Sequence, residues 1–229
     1  MSDKESLTPR TFLVRHGETK WAKKGFYTGT TDIDLTPAGE AQVSSTAACL
    51  VGAGKLVDPD RLAQVIVSPR KRATHTLELF LPSLRSPGAL DGGPNVIYSE
   101  DIREWDYGEY EGMTTSQIRE SREKKGLDVH TPWNIWRDGC EGGESKQQIR
   151  EVQRPYMNGE KPVDVLLVAH GLILRCFWKR WLGYAIDFEV SIIFSPGAIS
   201  VLSYKENDIN KPAFHLGVAL PPTEDGEGV

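Results

Sequence analysis

Short apolar runs recur along this chain, and each stops abruptly at polar residues or glycine. The runs cover 11–14, 65–67, 95–98 and 163–169, and the last is the most apolar. Runs of roughly four to eight apolar or β-branched residues that end this way are typical of strands in a parallel sheet. We therefore predict strands at these four positions.

Helix-start signals stand between the predicted strands. Thr36 and Ser68 each precede a proline, a pattern typical of an N-cap followed by Pro at the first helical position. The first of these helices should end near 52–54, and the second near Leu81. Further helices are predicted at 114–125, 144–156 and 172–181.

The C-terminal part of the chain shows two more candidate strands. They cover 191–194 and 198–204 and are separated by Pro196-Gly197. Alternating strands and helices favour an α/β fold in which helices cover both faces of one sheet. We therefore predict a three-layer α/β/α sandwich, mostly parallel, with an antiparallel strand near the C-terminus.

The length of 229 residues fits one large domain better than two. The chain shows no repeat at a fixed period and no linker between domains. We expect a single domain over 10–205, with flexible or peripheral termini at 1–9 and 206–229.

Charge and cysteine content narrow the classes of partner. A formal charge of −5 and a pI near 5.6 argue against nucleic acid or a membrane surface as the main partner, since both are acidic. Cys49, Cys140 and Cys176 show no paired spacing, so neither a disulfide framework nor a zinc site is indicated. With no targeting segment and no apolar run near ~20 residues, we expect a cytoplasmic protein. The sequence leaves its oligomeric state open.

Two of the predicted strands end in His-Gly. Arg15 and His16 follow the first strand, and His170 follows the strongest one. The carboxyl ends of parallel strands meet at one edge of a sheet, where neighbouring strands lie ~4.8 Å apart. The helix predicted after Ser68 brings Arg72 to that edge in its first turn, where the helix dipole adds to its charge. These residues predict a pocket for a phosphate-like dianion.

Five spaced motifs resemble the histidine phosphatase superfamily, which includes the cofactor-dependent phosphoglycerate mutases. The motifs occur in the order seen in that superfamily and lie at 13–19, 34–40, 68–76, 104–108 and 170–171. The resemblance covers about 10–205 and implies a phosphoglycerate mutase-like fold that needs no metal and no cofactor.

The resemblance implies a role for each residue at the predicted edge. His16 is the expected nucleophile and becomes phosphohistidine, while Glu104 is the expected proton donor. Arg15, Arg72 and His170 are expected to hold the transferring phosphoryl group. Guanidinium groups suit that role because their N–H donors match phosphate oxygens.

The proposed chemistry sets conditions on two of these side chains. His16 must attack as a neutral imidazole, so its second ring nitrogen should donate to a backbone carbonyl. Glu104 must be protonated to release an alkoxide as an alcohol, and it then accepts a proton from the attacking water. Repulsion from a phosphate dianion would raise the pKa of Glu104, which suits this role. We interpret the nearby Glu109 and Glu111 as solvated loop charges.

Substrate contacts are expected from loops over the same edge. Thr28 and Gly29 lie in a long polar loop after the first strand, and Tyr107 lies in a loop rich in aromatic and acidic residues. The resemblance implies contacts with substrate for these three residues. It also implies one for Arg175, five positions after His170 on the same predicted helix.

Two loops resemble one particular branch of the superfamily. Segments 103–113 and 132–141 are similar to the sedoheptulose-1,7-bisphosphatase branch, and 201–204 agrees with it. The mutases carry a paired-arginine, proline-rich segment that this chain lacks, and an Asn where it has Ala22. In place of a long segment of that branch, the chain has only 182–190, so we expect a more open pocket.

We therefore expect a metal-independent phosphatase that acts on small phosphorylated sugars through phosphohistidine. Sedoheptulose 1,7-bisphosphate is the first candidate substrate. A mutase-like phosphotransferase, or a phosphatase for another sugar or polyol monophosphate, remains an alternative. A catalytically silent module that binds a phosphorylated ligand is a third one.

Overall fold

The computed structural model describes residues 8–82, 94–128, 130–139, 164–208 and 210–217. Strands in this part of the chain are β1 (Thr11–Arg15), β2 (Leu62–Val67), β3 (Asn95–Tyr98), β4 (Asp164–Ala169), β5 (Ile199–Tyr204) and β6 (Pro212–Phe214). Its α-helices are α1 (Pro37–Leu50), α2 (Lys71–Phe80), α3 (Thr115–Lys124), α4 (Ile135–Asp138) and α5 (Gly171–Trp181).

The six strands form one mixed sheet in the order β3-β2-β4-β1-β5-β6. β1 and β4 are parallel neighbours in a register that pairs Arg15 with Ala169. β2 runs parallel to both β3 and β4, whereas β5 runs antiparallel to β1 and β6. The mostly parallel sheet and its C-terminal antiparallel strand confirm the predicted class. The two strands that end in His-Gly are therefore adjacent.

Side chains that alternate along the strands divide the core between the two faces of the sheet. Phe12 and Val14 face one cluster, and Leu13 faces the other. The first cluster includes residues of α1 and α2, namely Val43, Ala47, Ala73, Leu77 and Phe80. The second includes residues of α3, α4 and α5, namely Ile118, Ile135, Ile173, Leu174 and Phe177. Helices thus cover both faces, as the three-layer prediction requires.

The cap of α1 follows the sequence signal, and α3 has a cap that the sequence analysis did not name. Thr36 accepts a hydrogen bond from the Gly39 N–H, and Thr114 forms a capping box with Gln117. The second helix-start signal, Ser68-Pro69, is wrong in detail, because α2 begins only at Lys71 and has no side-chain cap. Ser68 instead directs its hydroxyl at His170, 2.7 Å from Nε2.

The end of the chain departs from the prediction. Residues 191–194 form no strand, and two of their carbonyl groups accept from arginine side chains. The carbonyl of Phe194 accepts from Arg15, and that of Ile192 accepts from Arg175. Beyond β5, the chain adds the unpredicted edge strand β6.

The helix predicted at 144–156 and the end of the predicted terminus, 218–229, lie outside the described residues. Within the residues that are described, no helix combines the length and the apolar character needed to cross a membrane.

Candidate active site

His16 and His170 leave adjacent strands and lie together at the carboxyl edge of the sheet. Their ring centroids are 5.2 Å apart, and the ring planes are inclined by 60°. The backbone N–H of His16 donates to the carbonyl of Ala169 at 2.9 Å, which continues the β1–β4 pairing into the site. The sheet therefore fixes the spacing of the two imidazoles.

His16 is held as a neutral imidazole. Its Nδ1 lies 2.7 Å from the carbonyl oxygen of Gly17. Because a carbonyl can only accept, Nδ1 carries the proton, and the lone pair stands on Nε2. Burial lowers the pKa of His16 well below its ordinary value, and the charges of Arg72 and Arg15 lower it further. The side chain is only 5% exposed but lines a cavity.

His170 has both ring nitrogens engaged by protein groups. Nδ1 accepts from the Arg72 Nε at 3.1 Å, so the proton resides on Nε2, which faces the Ser68 hydroxyl. Burial lowers the pKa of His170 well below its ordinary value, with Arg72 as the next cause. This imidazole is fully buried behind His16.

Arg72 is also fully buried and is closed in by the loop after β1. Besides the bond to His170, Nη1 donates to the Thr31 carbonyl, and Nη2 donates to the carbonyls of Thr28 and Gly29, each at 3.0 Å. A guanidinium has five N–H donors, and these contacts use four of them. Burial lowers the pKa of Arg72, although the nearby Glu104 raises it.

Arg15 is the cation that borders the open side of the site. Its Nη1 donates to the Phe194 carbonyl at 2.5 Å, while its buried Nε meets no acceptor among the described residues. Burial lowers the pKa of this guanidinium, and the charge of Arg175 adds to that effect. An orphaned buried donor beside a cavity is suited to an anionic ligand. Gly171 leaves room for the Arg15 guanidinium, since a Cβ on residue 171 would lie 3.2 Å from Arg15 Cζ.

Glu104 is anchored to the N-terminus of α5. Its Oε2 accepts from the Leu172 N–H at 3.0 Å, and its Oε1 accepts from the N–H groups of Ile173 and Trp105 at 3.1 and 3.2 Å. Burial raises the pKa of Glu104, whereas these three hydrogen bonds and the charge of Arg72 lower it. The net direction is upward, as a proton donor requires.

These side chains surround a cavity of about 210 Å³. Of the predicted site residues, it is lined by Arg15, His16, Thr28, Glu104, Tyr107 and Arg175. Arg72 and His170 lie behind this lining, and Gly29 contributes its carbonyl to Arg72 instead of facing the cavity. The structure thus brings the whole predicted set together in two layers.

A second, larger cavity of about 700 Å³ adjoins the first and shares Tyr27, Leu172 and Arg175 with it. Lys179, one turn after Arg175 on α5, also lines it. The Lys179 Nζ donates to the Ile186 carbonyl at 2.8 Å and lies 3.9 Å from the centroid of the Trp136 ring. Burial lowers the pKa of this ammonium.

Sequence reasoning missed three residues at the site. Tyr27 packs against Tyr107 with the rings inclined by 60° and their centroids 4.8 Å apart, and no local signal distinguished it. Ser68 stands at a strand end within a superfamily motif, and that position could have revealed its contact with His170. The interpretation of Glu111 as a solvated charge is wrong, because its carboxylate binds the loop at Gly29.

The arrangement has the parts needed for acid-assisted phosphoryl transfer to an imidazole. A neutral imidazole, guanidinium groups and a carboxyl group with a raised pKa line the same cavity. Within the described part of the chain, no three His, Cys, Asp or Glu side chains are grouped so that they could hold a metal ion.

Comparison with known proteins agrees with this geometry. The sedoheptulose 1,7-bisphosphatase of Saccharomyces cerevisiae is 35% identical, over 97% of this chain and 98% of its own length. A 2,3-bisphosphoglycerate-dependent phosphoglycerate mutase of Cytophaga hutchinsonii is 30% identical over 94% of this chain and 96% of its own length. The solved structure of an open reading frame product from Mycobacterium tuberculosis matches with a TM-score of 0.72 at 29% identity, over 91% and 96%. A family model described as "Histidine phosphatase superfamily (branch 1)" matches residues 11–214, and the chain belongs to that superfamily.

Proposed function

We propose that this protein is a metal-independent phosphatase that hydrolyses small phosphorylated sugars through a phosphohistidine on His16. Sedoheptulose 1,7-bisphosphate is the first candidate substrate. The observation that carries the proposal is the tautomer of His16, whose Nδ1 is fixed by the Gly17 carbonyl. Its Nε2 lone pair is therefore available beside Arg15 and Glu104 in the same cavity.

The reaction proceeds in two balanced steps. First, His16 Nε2 forms a bond to phosphorus while the ester P–O bond breaks, and the leaving oxygen takes the proton of Glu104. Water then attacks the phosphorus as the N–P bond breaks, and the Glu104 carboxylate accepts its proton. Glu104 thus ends the cycle protonated, and the raised pKa favours that form. Arg15 and Arg72 stabilise charge on the phosphoryl oxygens, and His170, whose ring nitrogens are bound to Arg72 and Ser68, positions Arg72.

The size of the adjoining cavity supports a sugar that carries a second phosphate. The catalytic cavity alone, at about 210 Å³, suits a phosphoryl group and a few carbons. Arg175 lines both cavities, and Lys179 lines the larger one. Two cations four residues apart on one helix face are suited to a distal anionic group. A bisphosphate could therefore span both cavities.

The matched mutase favours a second candidate, transfer of the phosphoryl group to another hydroxyl. This chain has Ala22 in the catalytic cavity where the resemblance implies Asn in the mutases. Hydrolysis is therefore the better supported outcome. A transferase would yield more transfer product than free phosphate when an acceptor alcohol is abundant.

Phosphate release across a panel of C3 to C7 sugar and polyol phosphates, with mono- and bisphosphates paired, tests the proposal. We expect turnover in excess chelator and a higher kcat/KM for bisphosphates than for the matching monophosphates. Loss of turnover with chelator would exclude the metal-independent reading. Preference for monophosphates would exclude a bisphosphate as the natural substrate, and tight binding without turnover would favour a silent binding module.

A further inference from the structure

The carboxylate of Glu111 binds the backbone of the loop that encloses Arg72. Its Oε1 accepts from the N–H groups of Gly29 and Thr31, both at 3.0 Å, and its Oε2 accepts from Gly29 at 2.9 Å. We propose that Glu111 is a positioning residue, which orients Arg72 for phosphoryl transfer by fixing this loop. The inference rests on the proposed function, because it assigns Arg72 to the transferring phosphoryl group.

One peptide unit connects the two charged groups directly. In the peptide between Thr28 and Gly29, the N–H donates to Glu111, while the carbonyl accepts from Arg72 Nη2 at 3.0 Å. Hydrogen bonds at the two ends of a peptide polarise each other, so each strengthens the other in a site of low dielectric. The negative charge of Glu111 thus supports the positive charge of Arg72 through a single peptide group.

The loop can adopt this conformation only with glycine at position 29. A Cβ on Gly29 would lie 2.0 Å from the Trp105 carbonyl oxygen and 3.1 Å from Glu111 Oε2. The loop therefore packs directly on the segment that begins with Glu104. One stretch, 104–111, supplies both the proposed proton donor and the carboxylate that holds the loop.

Other contacts hold the two ends of the loop but do not act on its centre. Tyr27 exchanges backbone hydrogen bonds with Gly112 and Met113 at 2.9 Å. Beyond the centre, Asp32 accepts from the Lys71 N–H at 2.8 Å. Glu111 binds the N–H groups between these anchors, and the carbonyls of the same stretch are the ones that accept from Arg72.

Four donors of Arg72 depend on the arrangement of the loop and of His170. If Glu111 is removed, the carbonyls of Thr28 and Gly29 lose their fixed direction, and the guanidinium can rotate with them. A displacement near 1 Å at a catalytic group can reduce rates by about 100-fold. Loss of Glu111 should therefore reduce kcat more than it raises KM.

The test combines Glu111 and Arg72 variants of the full chain with a generic phosphomonoester as substrate. We expect E111A to lower kcat about 10- to 100-fold, and E111Q, which keeps one acceptor oxygen, to lower it less. In the R72K background, where the guanidinium fork is absent, E111A should change kcat by less than about twofold, because coupled residues are not additive. E109Q is the matched control, since Glu109 is exposed and pairs with Lys125.

The possible results separate this inference from the proposed function. An E111A variant with wild-type kcat would overturn it, as would E111A and R72K effects that multiply. If E111A fails to fold by circular dichroism, the same cycle with E111Q decides between coupling and independence. Absence of turnover in the wild-type protein would instead count against the proposed function.

Discussion

The two His-Gly dipeptides follow adjacent parallel strands, yet their imidazoles lie in different environments. His16 has one nitrogen bound to its neighbouring carbonyl, and its ring borders the cavity. His170 has both nitrogens bound, one by Arg72 and one by Ser68, and it is fully buried. A motif thus specifies where an imidazole lies, whereas its tertiary partners decide which lone pair remains available.

Replacing each histidine by alanine should separate the two environments most strongly. We expect H16A to lower kcat by at least about 10⁴-fold, because it removes the imidazole to which the phosphoryl group is transferred. H170A should lower it about 100-fold, because Arg72 loses the partner of its Nε, and a displacement near 1 Å at a catalytic group has an effect of that size. Rapid-quench labelling with a ³²P-phosphomonoester, followed by acid treatment, checks the distinction. Acid-labile label in H16A would show that the nucleophile is misassigned.

Replacing Gly17 or Gly171 by alanine should affect different properties of the protein, stability in the first case and activity in the second. A Cβ on Gly17 would lie 2.9 Å from Val43 Cγ2 and 3.1 Å from the Gly39 carbonyl oxygen. Backbone of α1 cannot yield easily, so we expect G17A to lower the free energy of unfolding by about 1–3 kcal/mol. Denaturant unfolding measures this.

In contrast, the Cβ of G171A would meet only the end of the Arg15 side chain, at 3.2 Å. We expect a loss of roughly tenfold in kcat/KM from a displaced guanidinium, with a smaller effect on stability than in G17A. The comparison fails if G171A is the less stable variant, or if G17A alone loses activity.

The smallest effect concerns stability against pH. Burial lowers the pKa of both His16 and His170 in the folded state, so the unfolded chain binds more protons below its ordinary histidine pKa near 6.5. Their contribution to stability is therefore full above that pH and is lost as pH falls toward the folded pKa values. Unfolding free energies measured from pH 7.5 to 5 should decrease less steeply in H170N than in the wild type. An unchanged slope would contradict the lowered pKa of His170.

Much of the fold followed from local patterns. The apolar runs predicted β1, β2 and β4 because burial on both faces of a parallel sheet demands continuous apolar residues. The edge strand β3 was predicted as well, although it is only partly buried. Thr36-Pro37 marked a helix start because capping is a local interaction. Ser68-Pro69 did not start a helix, and the Ser68 hydroxyl instead contacts His170, which follows β4. The strand predicted at 191–194 does not form, and the carbonyls of Ile192 and Phe194 accept from arginines that are distant in sequence.

By itself, the sequence determined the elements and the residues that meet at one sheet edge, since apolar periodicity and the ends of parallel strands depend on local order. Only the tertiary structure decided which histidine faces the cavity, how Arg72 is enclosed and why Glu111 differs from Glu109. The physical reason is that hydrogen-bond partners, burial and charge proximity arise between segments far apart in the chain. Two identical His-Gly pairs therefore acquired distinct chemistry only after the sheet and the loop over it had formed.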